Sequence, residues 1–313
     1  PRRVLHVLAG LGIGGIETWL YQLLRYLDRD VIETEILIFS PEVGEYERHL
    51  SAMGFRIFRC SPPRSPIRMM QDLRRVLKSG GYHAIHISMH LFSGIIVREA
   101  YLAGIPVRIV HSRNMGDSRK KTLRRLIYQQ LMRTFIARYA THRFAVSMEA
   151  GELLFGRDTS SYHIVPSAID LSRFREPIDR NEVRRLFGIS ASDIVVGHVG
   201  RMAPAKNHKL VIEVARAFTA KEHRARFVLV GDGPLRDQIT EQVREYGIEQ
   251  KVSFLGIRRD IPRLMKGLFD VLLFPSIWEG SPRVVVEAQA AGLPCVISSS
   301  ISAHMDVVPD LIK

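Results

Sequence analysis

The chain of 313 residues has two cysteines, Cys60 and Cys295. Their number and separation give neither a zinc-ligand spacing nor a disulfide framework, which fits a reducing cytosol. No apolar run reaches the roughly 20 residues of a membrane-spanning helix. No signal peptide is expected at the start. There is no internal repeat and no low-complexity tract. A dinucleotide fingerprint is missing as well: in "AGLGIGGIE" the glycines Gly10, Gly12, Gly14 and Gly15 do not fall in G-x-G-x-x-G register. No lone acid ends the second strand-like run to bind a ribose, because "FSPEVGE" follows it.

What is present is basic charge. The formal net charge is +13. That implies acidic partners: nucleic acid, an anionic membrane surface or phosphorylated small molecules. The 46% hydrophobic content is that of a soluble globular protein, and the length allows two domains. Part of the charge is concentrated in "SRKKTLRRLIYQQLMRTFIARYATHR" (118–143), with Arg119, Lys120, Lys121, Arg124, Arg125, Arg133, Arg138 and Arg143. Leu123, Leu126, Ile127, Leu131, Phe135 and Ile136 interleave at helical spacing, so the stretch reads as one amphipathic basic helix. It is either a solvated face or an attachment to anionic lipid.

Strand-like runs alternate with helical patterns. "RVLHVLA" (3–9), "TEILIFS" (34–40), "FRIFRC" (55–60), "HAIHIS" (83–88) and "VRIVH" (107–111) come first. The polar, proline-containing "VPSAIDLSRFREPIDRNE" (165–182) interrupts them. "DIVVGHVG" (193–200), "ARFVLVG" (225–231), "KVSFLG" (251–256), "DVLLFPS" (270–276) and "PCVISS" (294–299) follow. This βαβ alternation predicts an α/β fold of two Rossmann-like domains, 1–170 and 171–313, each with a parallel sheet. Ligands of such sheets bind at the carboxyl ends of the strands, so a cleft between the domains is the expected site.

The candidate motifs follow strands. "AGLGIGGIE" follows the first, as a phosphate-approaching turn or a turn without ligand. "GRMAPAKNH" (200–208) offers Arg201 and Lys206 to one pocket from a loop entering a helix, which suits a diphosphate or leaves two solvated cations. "GDGPL" (231–235) reads as a sharp turn with Pro234 at a helix start and Gly231 near the expected cleft. In "WEGSPRVVVEAQAAGLP" (278–294), Ser281 reads as an N-cap and Pro282 as the first helical residue, with Gly292 ending the helix. Glu279 and Glu287 stand eight positions apart. Were the whole stretch helical they would be roughly 12 Å apart. A glycosidase pair stands about 5 to 9.5 Å apart. The two read as clamps on a long ligand or as solvated residues. His111, His86 and His90 near strand ends lack the spacing of a zinc site. "DRD" (28–30) looks like the Asp-x-Asp metal motif of some sugar transferases, but its place after a helix and before a strand makes it a capping turn.

Together, "GGIE" (14–17), "RIVHSRN" (108–114), "VPSAIDLSRF" (165–174), "GRMAPAKNH", "VGDGPL" and "EGSPRVVVEAQAAGLP" resemble the GT-B retaining glycosyltransferases of family 4, over the whole chain. The last block is the family's E-x7-E motif. "VEAQAAGLPCVIS" and "RIVHSRN" look most like the bacterial exopolysaccharide and capsule branch. The resemblance implies a catalytic set of Arg201, Lys206, Glu279 and His111. Glu279 would bind hydroxyls of the donor sugar, with His111 near its reacting carbon. Arg201 and Lys206 would hold the diphosphate. Glu287 would bind the ribose. Gly14, Gly15 and Gly231 would approach the donor, as would the start of the helix at Pro282, Arg283 and Val284. The backbone around Ile257 would meet the base. The resemblance implies a nucleotide-sugar donor, by default a UDP-sugar, with no metal and no other cofactor. It also implies a glycan or lipid-linked acceptor and retention of configuration. The cysteine usage adds the expectation of a cytoplasmic protein, peripheral to the inner membrane face if the basic helix attaches to anionic lipid.

The sequence departs from the pattern in places. Ser167-Ala168 replaces Asn-Gly, which bears on hinge geometry. Arg113 stands where relatives often carry a second histidine, which bears on acceptor choice. Family members normally continue past the place of Lys313 and send a final helix back across the first domain, so that closing helix is expected to be absent here, which bears on domain orientation. A GT-B-fold sugar-nucleotide epimerase is the alternative within the fold. A nucleic-acid-binding module is the alternative outside it, although no recognised motif and no stacking aromatics support it.

Overall fold

The computed structural model describes residues 1–12, 14–62, 64–113, 122–301 and 305–313. The chain divides into two compact units, Pro1–Ala168 and Ile169–Lys313. The first contains β1 (Arg2–Leu8), α1 (Gly15–Tyr26), β2 (Ile32–Ile38), α2 (Glu45–Ala52), β3 (Arg56–Arg59), α3 (Pro66–Ser79), β4 (Ala84–Ile87), α4 (Ser93–Leu102), β5 (Val107–Ser112), α5 (Leu123–Tyr139), β6 (His142–Ala145), α6 (Met148–Phe155) and β7 (His163–Ile164). Its sheet has seven strands in the order β3-β2-β1-β4-β5-β6-β7, and the pairings are parallel.

Side chains alternate along each strand, so each face gathers its own core. Leu5, Val7, Leu37, Ile85 and Ile87 pack with Leu73, Leu77, Ile96, Met132 and Ile136, which places α3, α4 and α5 on one face. Leu8, Ile36 and Ile38 pack with Leu20, Leu24 and Leu50, which places α1 and α2 on the other. Burying each such side chain stabilises by about 1.5–3 kcal/mol.

The second unit contains α7 (Ser172–Arg175), α8 (Arg180–Leu186), β8 (Ile194–Val199), α9 (His208–Lys221), β9 (Ala225–Val230), α10 (Arg236–Glu245), β10 (Val252–Gly256), α11 (Ile261–Gly267), β11 (Val271–Phe274), α12 (Arg283–Ala290) and β12 (Cys295–Ile297). Its five parallel strands run β10-β9-β8-β11-β12. Val195, Val228, Leu272 and Phe274 pack with Leu264, Val285 and Ala288 on one face. Val196, Phe227 and Leu229 pack with Val211, Ile212 and Ile239 on the other. In both sheets the strand order reverses once: between β1 and β4, and between β8 and β11. Those switch points are where doubly wound sheets leave a crevice at the carboxyl ends of their strands.

Several local expectations are corrected. The basic stretch is not one helix to Arg143. Thr122 caps α5 by accepting from Arg125 N, the helix ends before Ala140, and Arg143 lies on β6. Arg119, Lys120 and Lys121 lie outside the described residues. Four-residue β6 and two-residue β7 have too few buried positions to show an apolar run. Pro282 is the N-cap of α12, in extended conformation, and Arg283 is its first helical residue. Pro234 precedes α10, which starts at Arg236. At the other end of α12 the expectation holds, since Gly292 has φ +69° just past the C-cap. Asp28 accepts from Asp30 N at 2.9 Å, so "DRD" is a turn after α1. No helix among the described residues is long and apolar enough to cross a membrane.

Candidate active site

Two clusters form at the switch points, one in each unit. In the second unit, β8 runs into a loop at Gly200. A 3-10 turn at Pro204–Lys206 and a left-handed Asn207 (φ +53°) then lead into α9. The loop after β11 is tied to this turn, because Ile277 N donates to Ala205 O at 2.8 Å. That bond brings Lys206 to Glu279, with Nζ 2.5 Å from Oε1 and both side chains mostly buried. Lys206 Nζ also lies 4.6 Å from the centre of the Phe274 ring. Arg201 shares the loop but not this pair: it is exposed and makes no ion pair among the described residues. Gly231 closes the cluster from β9. A Cβ there would stand 2.0 Å from Gly200 O, at φ +132°, so only glycine fits.

His198 and His208 lie beneath the loop, ring centres 4.7 Å apart. Burial pushes His208 down to about 4, helped by the Lys206 charge. His198 is pushed down to about 3 by burial and then by His208, while its bond to Leu273 O opposes the shift. Both stay neutral near neutral pH.

Glu279 and Glu287 do not share a helix; Glu279 precedes α12 and Glu287 lies within it. Burial raises the pKa of Glu287, and Arg283 and Arg173 oppose that. Arg283 Nη2 is 3.5 Å from Glu287 Oε1. Among the described residues no side chain caps the start of α12 at Pro282, Arg283 and Val284. Ile257 is exposed just after β10. Arg173 has no spacing relation to Glu287 that a sequence would reveal.

In the first unit, Gly14 is the extended residue before α1 and Gly15 opens the helix. A Cβ on Gly14 would meet the Glu17 carboxylate, while one on Gly15 would meet nothing within 4 Å. Glu17 is raised by burial, with its own backbone and Arg113 opposing. His111 is the penultimate residue of β5 and is 2% exposed. Its Nδ1 lies 3.1 Å from His86 Nε2 and 3.2 Å from Arg113 Nη2. The Arg113 guanidinium lies 3.6 Å over Trp19 of α1. Burial first and Arg113 second push His111 down to about 2, the Val165 backbone opposing. Sequence reasoning missed Trp19, whose only signal was its place two residues after "GGIE" on the helix leaving the switch point. Among the described residues no group of three or more His, Cys, Asp or Glu side chains is arranged to hold a metal ion.

Residues 14–168 match the glycosyl transferase 4-like domain, and residues 179–312 match the glycosyl transferases group 1. EpsF of Bacillus subtilis (strain 168), named as a glycosyltransferase, is 35% identical over 97% of this chain and 81% of its own length. The chain belongs to the group 1/4 glycosyltransferases. Within this family it is also similar to the UDP-Gal:alpha-D-GlcNAc-diphosphoundecaprenol alpha-1,3-galactosyltransferase of Escherichia coli. That match is 29% identical and covers 74% of this chain and 62% of that protein. Anabaena HepE, solved in complex with UDP-glucose, superposes with a TM-score of 0.82 at 20% identity, covering 100% of this chain and 85% of that one. The fold of this glycosyltransferase is therefore GT-B, as its residues led one to expect.

Proposed function

We propose that this glycosyltransferase moves a sugar from a UDP-sugar to a glycan or lipid-linked acceptor in polysaccharide biosynthesis, with retention and without a metal. The observation that carries the reading is the Lys206–Glu279 pair at the switch point of the second sheet. Glycosyl transfer breaks the bond between the anomeric carbon and the β-phosphate oxygen, leaving charge on the phosphate and an oxocarbenium-like sugar. Lys206, Arg201 and the uncapped start of α12 supply fixed positive charge for the first. Glu279 accepts from sugar hydroxyls, and Glu287 accepts from the ribose. The acceptor oxygen attacks from the face the phosphate leaves, and its proton passes to the departing phosphate oxygen. Gly15 leaves room for phosphate at the start of α1, while the space beside Gly14 is taken by the Glu17 carboxylate and would have to be vacated.

The donor reading is supported by the UDP and UDP-glucose named in the HepE complexes. The acceptor reading is supported by the diphosphoundecaprenol in the E. coli relative's name. Family membership argues against the epimerase and against a nucleic-acid module. Incubation with UDP-sugars and a lipid-diphosphate-linked sugar tests the reading. Transfer that survives EDTA and gives the donor's anomeric configuration by NMR is expected. An epimerised sugar nucleotide formed from donor alone would overturn it.

Such an acceptor sits at a membrane, and α5 suits that surface. Leu123 and Ile127 are 74% and 60% exposed, with Leu126 and Leu131 exposed beside them. Arg124 is exposed on the same helix. Apolar side chains facing water over three successive turns, edged by arginine in a chain of net charge +13, fit an anionic bilayer.

A further inference from the structure

His111 has two ring nitrogens, and its neighbours decide what each does. Nδ1 lies within hydrogen-bond distance of His86 Nε2 and Arg113 Nη2, at 3.1 and 3.2 Å. A contact between two histidine nitrogens is ambiguous by itself, since either ring can donate. A guanidinium is not ambiguous: it carries N–H donors and no acceptor lone pair. A proton on His111 Nδ1 could be accepted by His86 Nε2, but it would also face the Arg113 N–H, donor against donor at 3.2 Å. Nδ1 is therefore the acceptor and His86 Nε2 the second donor. The proton of the neutral ring then sits on His111 Nε2. That nitrogen is buried and makes no hydrogen bond of full geometry among the described residues, although the Val165 backbone is near enough to favour a protonated ring. Leaving a buried donor unpaired is unfavourable, a cost a ligand acceptor removes.

Arg113 is held for this task by α1. Its guanidinium stacks on Trp19, and the Trp19 ring meets both imidazoles edge-on, 5.6 Å from His86 and 6.2 Å from His111. A histidine at position 113 would leave the tautomer open, because a second imidazole can donate or accept.

We infer that Arg113 is a positioning residue that locks His111 as a neutral Nε2–H donor. Resting on the proposed function, the acceptor of that bond is a hydroxyl oxygen of the donor sugar. The lock has a chemical consequence. In this tautomer Nε2 has no lone pair, so His111 cannot serve as the base that takes the acceptor's proton. Its role is to orient the sugar.

Long-range ¹H–¹⁵N NMR of the whole histidine-labelled protein tests this without any substrate, with the His111 signals assigned by their loss in His111→Asn. Expected in the wild type is an unprotonated Nδ1 and a protonated Nε2, unchanged from pH 8 to 5. Arg113→Met should give mixed tautomers, and Arg113→Lys, which keeps a donor, should restore the single form. On the same reading Arg113→Met should lower kcat/KM about tenfold, with Arg113→Lys recovering most of it. A protonated Nδ1 in the wild type would overturn the proposal. So would an unchanged single tautomer in Arg113→Met; if that variant does not fold, the wild-type and Arg113→Lys spectra still decide. Thermal stabilisation by UDP-sugar is read separately: its absence in the wild type would count against the donor reading, while the spectra would still judge Arg113.

Discussion

Lys206 and Glu279 neutralise each other in the free protein, Nζ to Oε1 at 2.5 Å, on loops pinned by the Ile277–Ala205 backbone bond. The pair explains how a cation can wait in a mostly buried place. On the proposed function, a diphosphate arriving at Lys206 would take over part of the ammonium's hydrogen bonding. That would leave Glu279 lone pairs for sugar hydroxyls. Nucleotide and sugar would then be recognised by two groups that hold each other until both arrive.

Lys206→Ala should lower kcat about 100- to 1000-fold, the range of one preorganised donor in the transition state, with donor KM moving only a few-fold. Steady-state kinetics on a variant shown to be folded measures this. An unchanged kcat with only a raised KM would reject the leaving-group role.

Glu287→Ala should weaken free UDP, because a ribose contact exists whether or not sugar is attached. Glu279→Ala should leave UDP affinity nearly intact and damage use of the whole donor. Titration calorimetry of UDP against both variants separates them. Equal UDP affinity in the wild type and Glu287→Ala would sink the ribose assignment, and Glu287 would then serve Arg283 and Arg173 instead.

The two sheets were legible because parallel strands covered on both faces read as unbroken apolar runs. The glycines and charged loops after β1 and β8 were legible because they follow those runs directly. Less was legible at the edge of the first sheet, where β6 and β7 are short and half-exposed. The start of α12 was misplaced by one residue, since Ser281-Pro282 reads as cap and first turn while Pro282 is extended. Contacts between distant segments left no trace in spacing. Nothing in the sequence joins Trp19 to Arg113, or Arg173 to Glu287. The apolar residues of α5 were read correctly as helical, but periodicity alone did not reveal that four of them face water.

That exposure gives a membrane prediction. The protein should bind vesicles containing anionic lipid, ignore neutral ones, and release as salt shortens the Debye length from about 10 Å at 0.1 M to about 3 Å at 1 M. Replacing Leu123, Ile127 and Leu131 with Gln should weaken binding at least tenfold and leave UDP affinity unchanged. Replacing Arg124 should mainly reduce the salt dependence. A wild type that floats free of anionic vesicles at low salt would leave a soluble acceptor as the better reading.

Buried histidines set the last prediction. His6 and His208 are held down to about 4, His198 to about 3 and His111 to about 2, each chiefly by burial, and His86 lies well below its ordinary value. Between these values and about 6.5, the unfolded chain binds protons that the folded chain refuses. Stability therefore rises with pH across that window, is fully present above about 6.5, and is lost as pH falls. The limiting slope is about 1.4 kcal/mol per pH unit for each histidine. Glu17 and Glu287, raised by burial, work in the opposite direction, but they are two groups against five histidines. From pH 7 to 5 the histidines should dominate, and Tm should fall steadily. His198→Gln should flatten the profile by one histidine's share, since its Nδ1 partner among the described residues is the Leu273 carbonyl. Thermal unfolding at pH 7, 6 and 5 reads both effects. A flat wild-type profile would mean that these rings become protonated in the folded state as readily as in the unfolded one, and the neutral His111 on which the donor geometry depends would be lost with it.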